Sequence, residues 1–233
     1  MNKKKKLVTI CCLFLCLCLF SGCKQATEAV FATFIEGNLN EVYLGKTNET
    51  YLKLSGSTVE ESKQIYLDGM EVQAEYFAYY WGIIDPDYGE TYDDLEDELK
   101  QEILDLCKEI YGNAKFEVLS STKQNDGNFA VKVTVEPVDI MELANNQFDS
   151  YEPLIAFFNT YTEDIVYEMT DEEYQVYTND YGMLIVQLVK EQLPNLGYKE
   201  TKTHLIQIAL IDNQYIVSQD DWDNLDANIV YYP

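Results

Sequence analysis

The chain contains no arginine, and it has a single histidine among its 233 residues. Without arginine it cannot hold a phosphate or a carboxylate in the bidentate grip that a guanidinium provides. Its 16 lysines are outnumbered by 41 acidic residues, which gives a formal net charge of −25. Because nucleic-acid binding depends on clustered cations, we expect no nucleic-acid partner.

Histidine and cysteine are too scarce for the common catalytic and metal sites. A Ser–His–Asp triad or a Cys–His pair would have to use His204, which lies in a strand-like pattern, and the chain has no G-x-S-x-G turn. Zinc sites need several His or Cys ligands. We therefore expect neither zinc nor a nucleophilic enzyme, and we interpret His204 as a half-exposed strand residue.

The sequence has no apolar run that is long enough to cross a membrane. Lys3–Lys6 form a basic start, and Leu7–Phe20 follows as 14 residues interrupted only by Thr9. A helix of that length spans about 21 Å, whereas the hydrocarbon core of a bilayer is about 30 Å thick. This order predicts a signal peptide over residues 1–22.

The end of this segment, Leu19-Phe20-Ser21-Gly22-Cys23, resembles the lipobox of bacterial lipoproteins. In that family the cysteine receives a diacylglyceryl group, with fatty acids such as palmitate, and becomes the mature N-terminus. The resemblance implies a lipid anchor at Cys23 on the extracellular face of the cell membrane, and two acyl chains suffice for stable anchoring. The alternative is an ordinary secretory signal with a chance cysteine.

Removal of residues 1–22 would change both charge and cysteine usage. Four lysines and no acid would leave, which takes the net charge to −29, and Cys107 would be the one cysteine besides Cys23. No internal disulfide is then available. Cys107 lies in an apolar stripe at helical spacing with Leu99, Ile103 and Ile110, so we predict a buried, unreactive thiol.

The remaining chain is predicted to form a short tether, residues 23–26, and one compact domain, residues 27–233, with halves at 27–138 and 139–233. In the first half, Val30–Ile35 predicts a helix that ends at Gly37-Asn38. Ser57 and Glu60 form a capping box that opens a helix toward Ile84. A further acidic helix is expected over residues 92–111.

Two hairpins complete the predicted pattern. Apolar residues alternate in Phe129–Val135, and Asp126-Gly127 supplies the turn to the partner strand. In the second half, one helix over residues 154–165, a second opened by a Thr170/Glu173 capping box, and a hairpin over residues 199–218 follow. The order predicts an α+β fold: an antiparallel sheet of about four strands with helices packed on one face. It also suggests a duplicated helix–helix–hairpin unit.

The lipobox, the helix Val30-Phe31-x-x-Phe34-x-x-Gly37-Asn38 and hairpins after acidic helices together resemble the small, uncharacterised lipoproteins of Firmicutes. Domains in that group are often cystatin-like or NTF2-like. The resemblance implies a membrane-anchored extracellular domain and carries over no catalytic residue.

One acidic loop is a candidate calcium site. Residues 85–96 lie between two predicted helices, and four acids occupy positions 1, 3, 9 and 12 of an EF-hand loop: Asp85, Asp87, Asp93 and Glu96. Position 5 is Gly89 and position 6 is Glu90, where the motif has an oxygen ligand and a glycine. The alternative is a solvated loop with an acidic helix start. We expect no other cofactor.

The aromatic run Tyr76–Trp81 could stack on sugars or contact a partner, although packing of most of these rings in the core is the interpretation we favour.

With no catalytic set visible, the sequence predicts a non-enzymatic binding module for an unknown ligand or protein. The alternative is an enzyme that acts on cell wall or carbohydrate through two carboxylates, whose separation cannot be judged among 41 acids. A structural surface protein without a small ligand is a third interpretation.

Overall fold

A four-stranded antiparallel sheet and nine α-helices make up the described residues of the structure, a computed structural model that covers residues 16–17, 27–87, 89–211 and 214–233. The predicted α+β class is therefore confirmed. Residues 1–15 and 18–26, with most of the predicted signal peptide and with Cys23, lie outside the described residues. Within the described part, no helix is both long and apolar enough to span a membrane.

The helices are α1 (Glu28–Leu44), α2 (Glu49–Ser55), α3 (Val59–Tyr80), α4 (Asp97–Tyr111), α5 (Ile140–Phe148), α6 (Glu152–Thr160), α7 (Glu163–Tyr167), α8 (Asp171–Gln192) and α9 (Gln219–Asp226). Short 3-10 turns occupy Tyr92–Asp94 and Leu193–Asn195. The strands are β1 (Lys115–Lys123), β2 (Phe129–Glu136), β3 (Lys202–Ile211) and β4 (Gln214–Val217). They lie in the order β4-β3-β2-β1, and the two-residue strand Cys16–Leu17 pairs antiparallel with β4.

The chain contacts divide the protein into two compact units. Unit 1 gathers the described residues within 1–72, 111–138 and 198–231, and unit 2 gathers 73–110, 139–197 and 232–233. Unit 1 therefore contains both hairpins, whereas unit 2 is helical. The single domain, its halves and the duplication stay predictions.

The core of unit 1 lies between α1 and the sheet. Phe129, Val131, Val133 and Val135 are buried, which confirms the alternation expected for β2. The Phe31 ring of α1 lies 4.2 Å from the Phe129 ring, and Trp222 of α9 stacks on Tyr43 at 6.5 Å. Alternation thus places one face of β2 against the helices and leaves Lys132 and Glu136 exposed.

Gly37 does not end a helix, so that prediction is wrong. Helix α1 continues through it to Leu44, and Gly45 follows in the left-handed conformation. A Cβ at Gly37 would lie only 2.3 Å from Cδ2 of Tyr51, so the glycine is required by the close approach of α2. The need for space, and not a turn, explains this glycine.

The start of α3 is one residue later than expected. Thr58 Oγ1 accepts the Glu61 N–H at 3.1 Å, and a Glu61 oxygen accepts the Thr58 N–H at 2.8 Å, so the capping box is Thr58/Glu61 and not Ser57/Glu60. The Thr170/Glu173 box at the start of α8 is confirmed.

Three other bounds differ from the prediction. The helix expected over residues 154–165 is divided at Tyr161 into α6 and α7. The helix expected from residue 92 is a 3-10 turn followed by α4, and β3 begins at Lys202 and not at Lys199. Residues 212–213 of the predicted hairpin over residues 199–218 lie outside the described residues.

Candidate ligand-binding groove

One face of α6 in unit 2 forms the first wall of an open groove. Four lining residues follow helical spacing of three and four along the chain: Pro153, Ala156, Phe157 and Thr160. Pro153 lies in the first turn of α6, where its missing N–H has no helical acceptor. Pro153 therefore favours the start of α6 at this point. One continuous face of the helix lines the groove.

The second wall comes from the C-terminal half of α8. Its lining residues repeat the same spacing: Asp180, Met183, Leu184, Val186, Gln187, Lys190 and Glu191. Tyr161 follows α6, and Glu102 is contributed by α4. Together these residues line an open groove of about 760 Å³, a volume within the range of small-molecule sites.

A glycine allows α8 to lie close to α4 within this unit. A Cβ at Gly182 would approach Cδ2 of Leu99 to 2.6 Å, which is closer than real Cβ contacts. Gly182 is buried and one residue before Met183 of the groove wall. The close contact therefore fixes the position of the helix that carries the wall.

Aromatic rings form a cluster that lines and supports the groove. Phe157 is the centre, with ring centroids at 4.8 Å from Tyr161 and 5.0 Å from Tyr177. Tyr181 lies 6.0 Å from Phe157 and donates its hydroxyl hydrogen to the Trp81 carbonyl at 2.8 Å. Burial raises the pKa of Tyr181, so its hydroxyl stays a donor in neutral solution.

The charged residues of the groove are mainly acidic. Glu102, Asp180 and Glu191 line it, and Lys190 is the one cation among the lining residues, where it is paired with Glu102. The Tyr151 hydroxyl donates to Glu191 at 3.0 Å, and burial together with this carboxylate raises the pKa of Tyr151 to about 12. The groove thus combines an apolar floor with a negative rim, which suits an apolar or aromatic ligand that carries positive charge or hydroxyls.

Among the four residues of the candidate calcium loop, the Asp85 side chain is engaged in a hydrogen bond within the loop. The Asp85 side chain accepts the Asp87 N–H at 2.9 Å, and the Asp85 N–H donates to Glu90 at 2.7 Å. Asp93 precedes Asp94, whose carboxylate caps Thr91. Among the residues that the structure describes, no group of three or more His, Cys, Asp or Glu could hold a metal ion. The calcium site at Asp85, Asp87, Asp93 and Glu96 stays a prediction.

The aromatic run Tyr76–Trp81 is divided between the core and the surface. Phe77 and Trp81 are buried, Tyr76 and Tyr80 are half-buried, and Tyr79 is exposed. The Trp81 ring stacks on Phe148 at 5.9 Å. Phe77 and Trp81 therefore belong to the core, whereas the three tyrosines are partly or fully exposed.

The two scarce reactive residues are also placed as predicted. Cys107 is fully buried, and burial raises the pKa of its thiol, so it is unreactive. His204 lies half-buried on β3, and burial together with Lys202 lowers the pKa of its imidazole. A neutral imidazole in a strand fits the structural interpretation.

Unit 1 contains a buried polar cluster that the sequence did not predict. Glu41 is 1% exposed, and one of its oxygens accepts the Tyr51 hydroxyl at 2.6 Å. Asn38 donates to the same hydroxyl at 3.1 Å. Within the described residues, Glu41 Oε1 and Asn38 Oδ1 have no hydrogen-bond donor. Burial and the Glu41 carboxylate raise the pKa of Tyr51 far above its ordinary value.

One carboxyl in unit 2 has a pKa that is shifted in the direction that a carboxylate enzyme would require. Burial and the negative charge of Asp93 raise the pKa of Glu75 above its ordinary value. Glu75 is not among the residues that line the groove. The raised pKa and the groove are therefore separate features of the unit.

Sequence reasoning identified the helices of the groove but missed the groove itself. The spacing of Leu154, Phe157 and Tyr161 indicates an apolar face, and such a face normally packs completely against a neighbour. That Ala156 and Thr160 remain exposed beside Phe157 depends on the position of α8. The missed signal is a stripe that mixes small, aromatic and hydroxyl side chains.

Neither a protein-family model nor a curated protein matches this chain. Its structure is similar to the crystal structure of a candidate lipoprotein, YcdA, from Bacillus subtilis subsp. subtilis strain 168, with a TM-score of 0.54 and 17% sequence identity. The match covers 87% of this chain and 56% of that one. The likeness shows a shared fold, and this chain spans little more than half of the length of YcdA.

Proposed function

We propose that the protein is a lipid-anchored extracellular lipoprotein whose folded part binds a ligand or a protein partner and catalyses no reaction. The groove between α6 and α8 is the observation that carries the binding proposal, because it presents an apolar floor beside acidic side chains. Its specificity is for a molecule with an apolar face and exposed donors or positive charge.

The anchor is supported by the lipobox-like residues that end at Cys23 and by the fold shared with a candidate lipoprotein of a Firmicute. Membership in the lipoproteins of Firmicutes, with a cystatin-like or NTF2-like domain, belongs to the same proposal. In a Gram-positive host, Cys23→Ala should release the protein from the membrane, and globomycin should block processing of the unchanged chain. Membrane retention of the variant would contradict the anchor.

The groove is tested by thermal unfolding of a soluble version that begins at residue 24, against a panel of wall sugars, wall peptides and basic peptides. A ligand at a hundredfold over its dissociation constant adds about 2.7 kcal/mol, enough to raise the melting temperature by several degrees. Ala156→Trp should fill the groove and abolish the shift. Ile155→Trp is the matched control, since Ile155 is adjacent, 44% exposed and not a lining residue.

A carboxylate-based enzyme for cell-wall or carbohydrate substrates is the alternative, and the raised pKa of Glu75 favours it. A general acid needs a carboxyl that stays protonated near neutral pH, with a second carboxylate near it. If the alternative is correct, the protein should release soluble fragments from purified cell wall, and Glu75→Gln should abolish this. Equal release of fragments by the unchanged protein and by Glu75→Gln, or no release by either, would argue against the enzyme alternative.

Calcium at residues 85–96 is proposed as a separate, optional feature. Calcium should then raise the melting temperature relative to EDTA, and the double variant Asp85→Ala/Glu96→Ala should lose that response. A calcium response that survives the double variant would place the ion elsewhere.

A further inference from the structure

The start of α1 fixes which part of unit 1 lies nearest to the proposed anchor. Cys23 precedes Thr27 by four residues, and Thr27 is the N-cap of α1. A fully extended chain covers at most about 3.6 Å per residue, so Thr27 lies within about 14 Å of Cys23. Whatever surrounds the first turn of α1 is therefore held close to the membrane surface.

The first turn of α1 lies at the end of the sheet that carries the β1–β2 turn. Glu28 Oε1 accepts the Lys123 N–H at 2.9 Å, at the last residue of β1. The end of β3 lies at the same place, because the Leu210 N–H donates to Asn128 Oδ1 at 2.9 Å. Both hairpins thus present the same end of the sheet beside the start of α1.

This end carries apolar side chains that the core does not cover. Leu210 and Ile211 are 47% and 49% exposed. Leu210 continues the core-facing positions of Ile206 and Ile208, which are fully buried, so the apolar stripe of β3 runs past the end of the core. Ile211 points to the opposite face, because successive residues of a strand alternate. Apolar groups are therefore present on both faces of this end.

The charges near this end of the sheet form no positive patch that would attract a lipid surface. Lys123 and Asp126 are exposed with opposite signs, and the Glu28 carboxylate is held by a backbone N–H. The chain as a whole is strongly acidic and would be repelled by anionic lipids, although salt screens this beyond about 8 Å. Apolar contact beside a lipid anchor is the attraction that remains.

We propose that the anchor end of unit 1, formed by the β1–β2 turn, Leu210 and Ile211, rests in the interface of the bilayer that holds Cys23. This inference depends on the proposed lipidation. Interfacial apolar groups enter a bilayer by about 5–10 Å, a depth that side chains at a sheet end can reach. The anchor and these two side chains then act together as two membrane contacts, which orients unit 1.

A fluorescence-quenching experiment tests this with the full lipidated protein in vesicles of phosphatidylethanolamine and phosphatidylglycerol. Ile211→Cys is labelled with an environment-sensitive dye, and Leu205→Cys is the matched control on the same face of β3. At about 3.3 Å per residue the control lies about 20 Å farther along the strand. Cys107 is buried and does not compete for the label.

A nitroxide-labelled lipid should quench the dye at residue 211 at least about twofold more than the dye at residue 205, because only the former reaches the interface. A third label at Asn125→Cys, in the β1–β2 turn, should behave like residue 211 and covers the case in which Ile211→Cys disturbs the sheet. Equal quenching at all three positions, or stronger quenching at 205, overturns the inference.

Mass spectrometry of the N-terminal peptide separates the two proposals. If Cys23 is acylated and the dyes are quenched equally, the anchor stands and the interfacial contact fails. If Cys23 carries no lipid, the anchor fails and the interfacial contact, which depends on it, fails too.

Discussion

The two units of this protein differ in how far their aromatic side chains are exposed. In unit 1, Phe31 and Phe129 are 0% and 1% exposed, and their rings are in direct contact within the sheet core. In unit 2, Phe77 and Phe157 are also buried, at 0% and 7% exposed, but Phe158 and Tyr174 are 39% and 38% exposed. A closed core maximises apolar burial, whereas a helical unit with half-covered rings keeps an open surface. The comparison places a closed aromatic core in unit 1, and it places the exposed rings beside the groove to which the binding proposal assigns recognition in unit 2.

The largest expected effect is a matched pair of phenylalanine truncations. Phe31→Ala removes a fully buried ring from unit 1 and should cost about 3–5 kcal/mol of unfolding free energy. Phe158→Ala removes a ring that is 39% exposed from unit 2 and should cost about 1–2 kcal/mol, since part of its apolar surface already lies in water. Urea unfolding of both variants measures this. Equal losses would break the distinction between the units.

A second pair compares the two tightly packed glycines. Alanine gains up to about 1 kcal/mol over glycine in a helix, but both positions lack space for a Cβ. At Gly37 the obstacle is the Tyr51 ring, which its hydrogen bond to Glu41 holds in place, so Gly37→Ala should lose about 1–3 kcal/mol net. At Gly182 the obstacle is the end of the Leu99 side chain, which can turn away. A greater loss for Gly182→Ala in thermal unfolding would contradict this reasoning.

Glu75 in unit 2 should show a smaller effect of the opposite sign. Because its pKa is raised in the folded protein, the ionised carboxyl opposes folding at neutral pH, and the penalty disappears as pH falls below the ordinary glutamate range. Glu75→Gln should therefore be slightly more stable than the unchanged protein at pH 7, and the difference should vanish at about pH 3, below the pKa range of an unperturbed glutamate. Unfolding free energies of the two proteins at both pH values test this, and a difference that grows in acid would refute it.

The smallest effect concerns two tyrosines of unit 2. Burial and a carboxylate acceptor raise the pKa of Tyr151 and of Tyr174 to about 12, the acceptors being Glu191 and Glu90. Their contribution to stability is complete below about pH 10, where an unfolded tyrosine begins to ionise, and is lost as pH rises toward 12. In an absorbance titration, Tyr151→Phe/Tyr174→Phe should remove tyrosinate signal that appears near pH 12 and should leave the signal near pH 10 unchanged. Loss of signal near pH 10 would contradict the raised values.

The sequence predicted the sheet better than it predicted helix ends. Alternation in Phe129–Val135 needs no tertiary information, because one buried face fixes the register of a strand. The capping box at α3 could not be located, since both Ser57 and Thr58 are followed three residues later by glutamate. Gly37 was misread as a helix end because sequence shows the missing Cβ but not the Tyr51 ring that occupies its space.

The groove was even less accessible to sequence reasoning. Phe157 and Leu184 carry helical periodicity, which describes an apolar face but not whether its neighbour covers it. The gap arises from the placement of α8 against α4 through Gly182, a contact between residues far apart in sequence. The buried Glu41 was missed for a similar reason, because its partner Tyr51 belongs to the next helix.

Hydrogen–deuterium exchange of the protein with and without a ligand that stabilises it tests the central claim, that recognition belongs to unit 2. The account predicts slower exchange in α6 and in the C-terminal half of α8, with β2 unchanged, and no such protection in Ala156→Trp. Protection confined to the sheet of unit 1, with α6 and α8 unaffected, would contradict it.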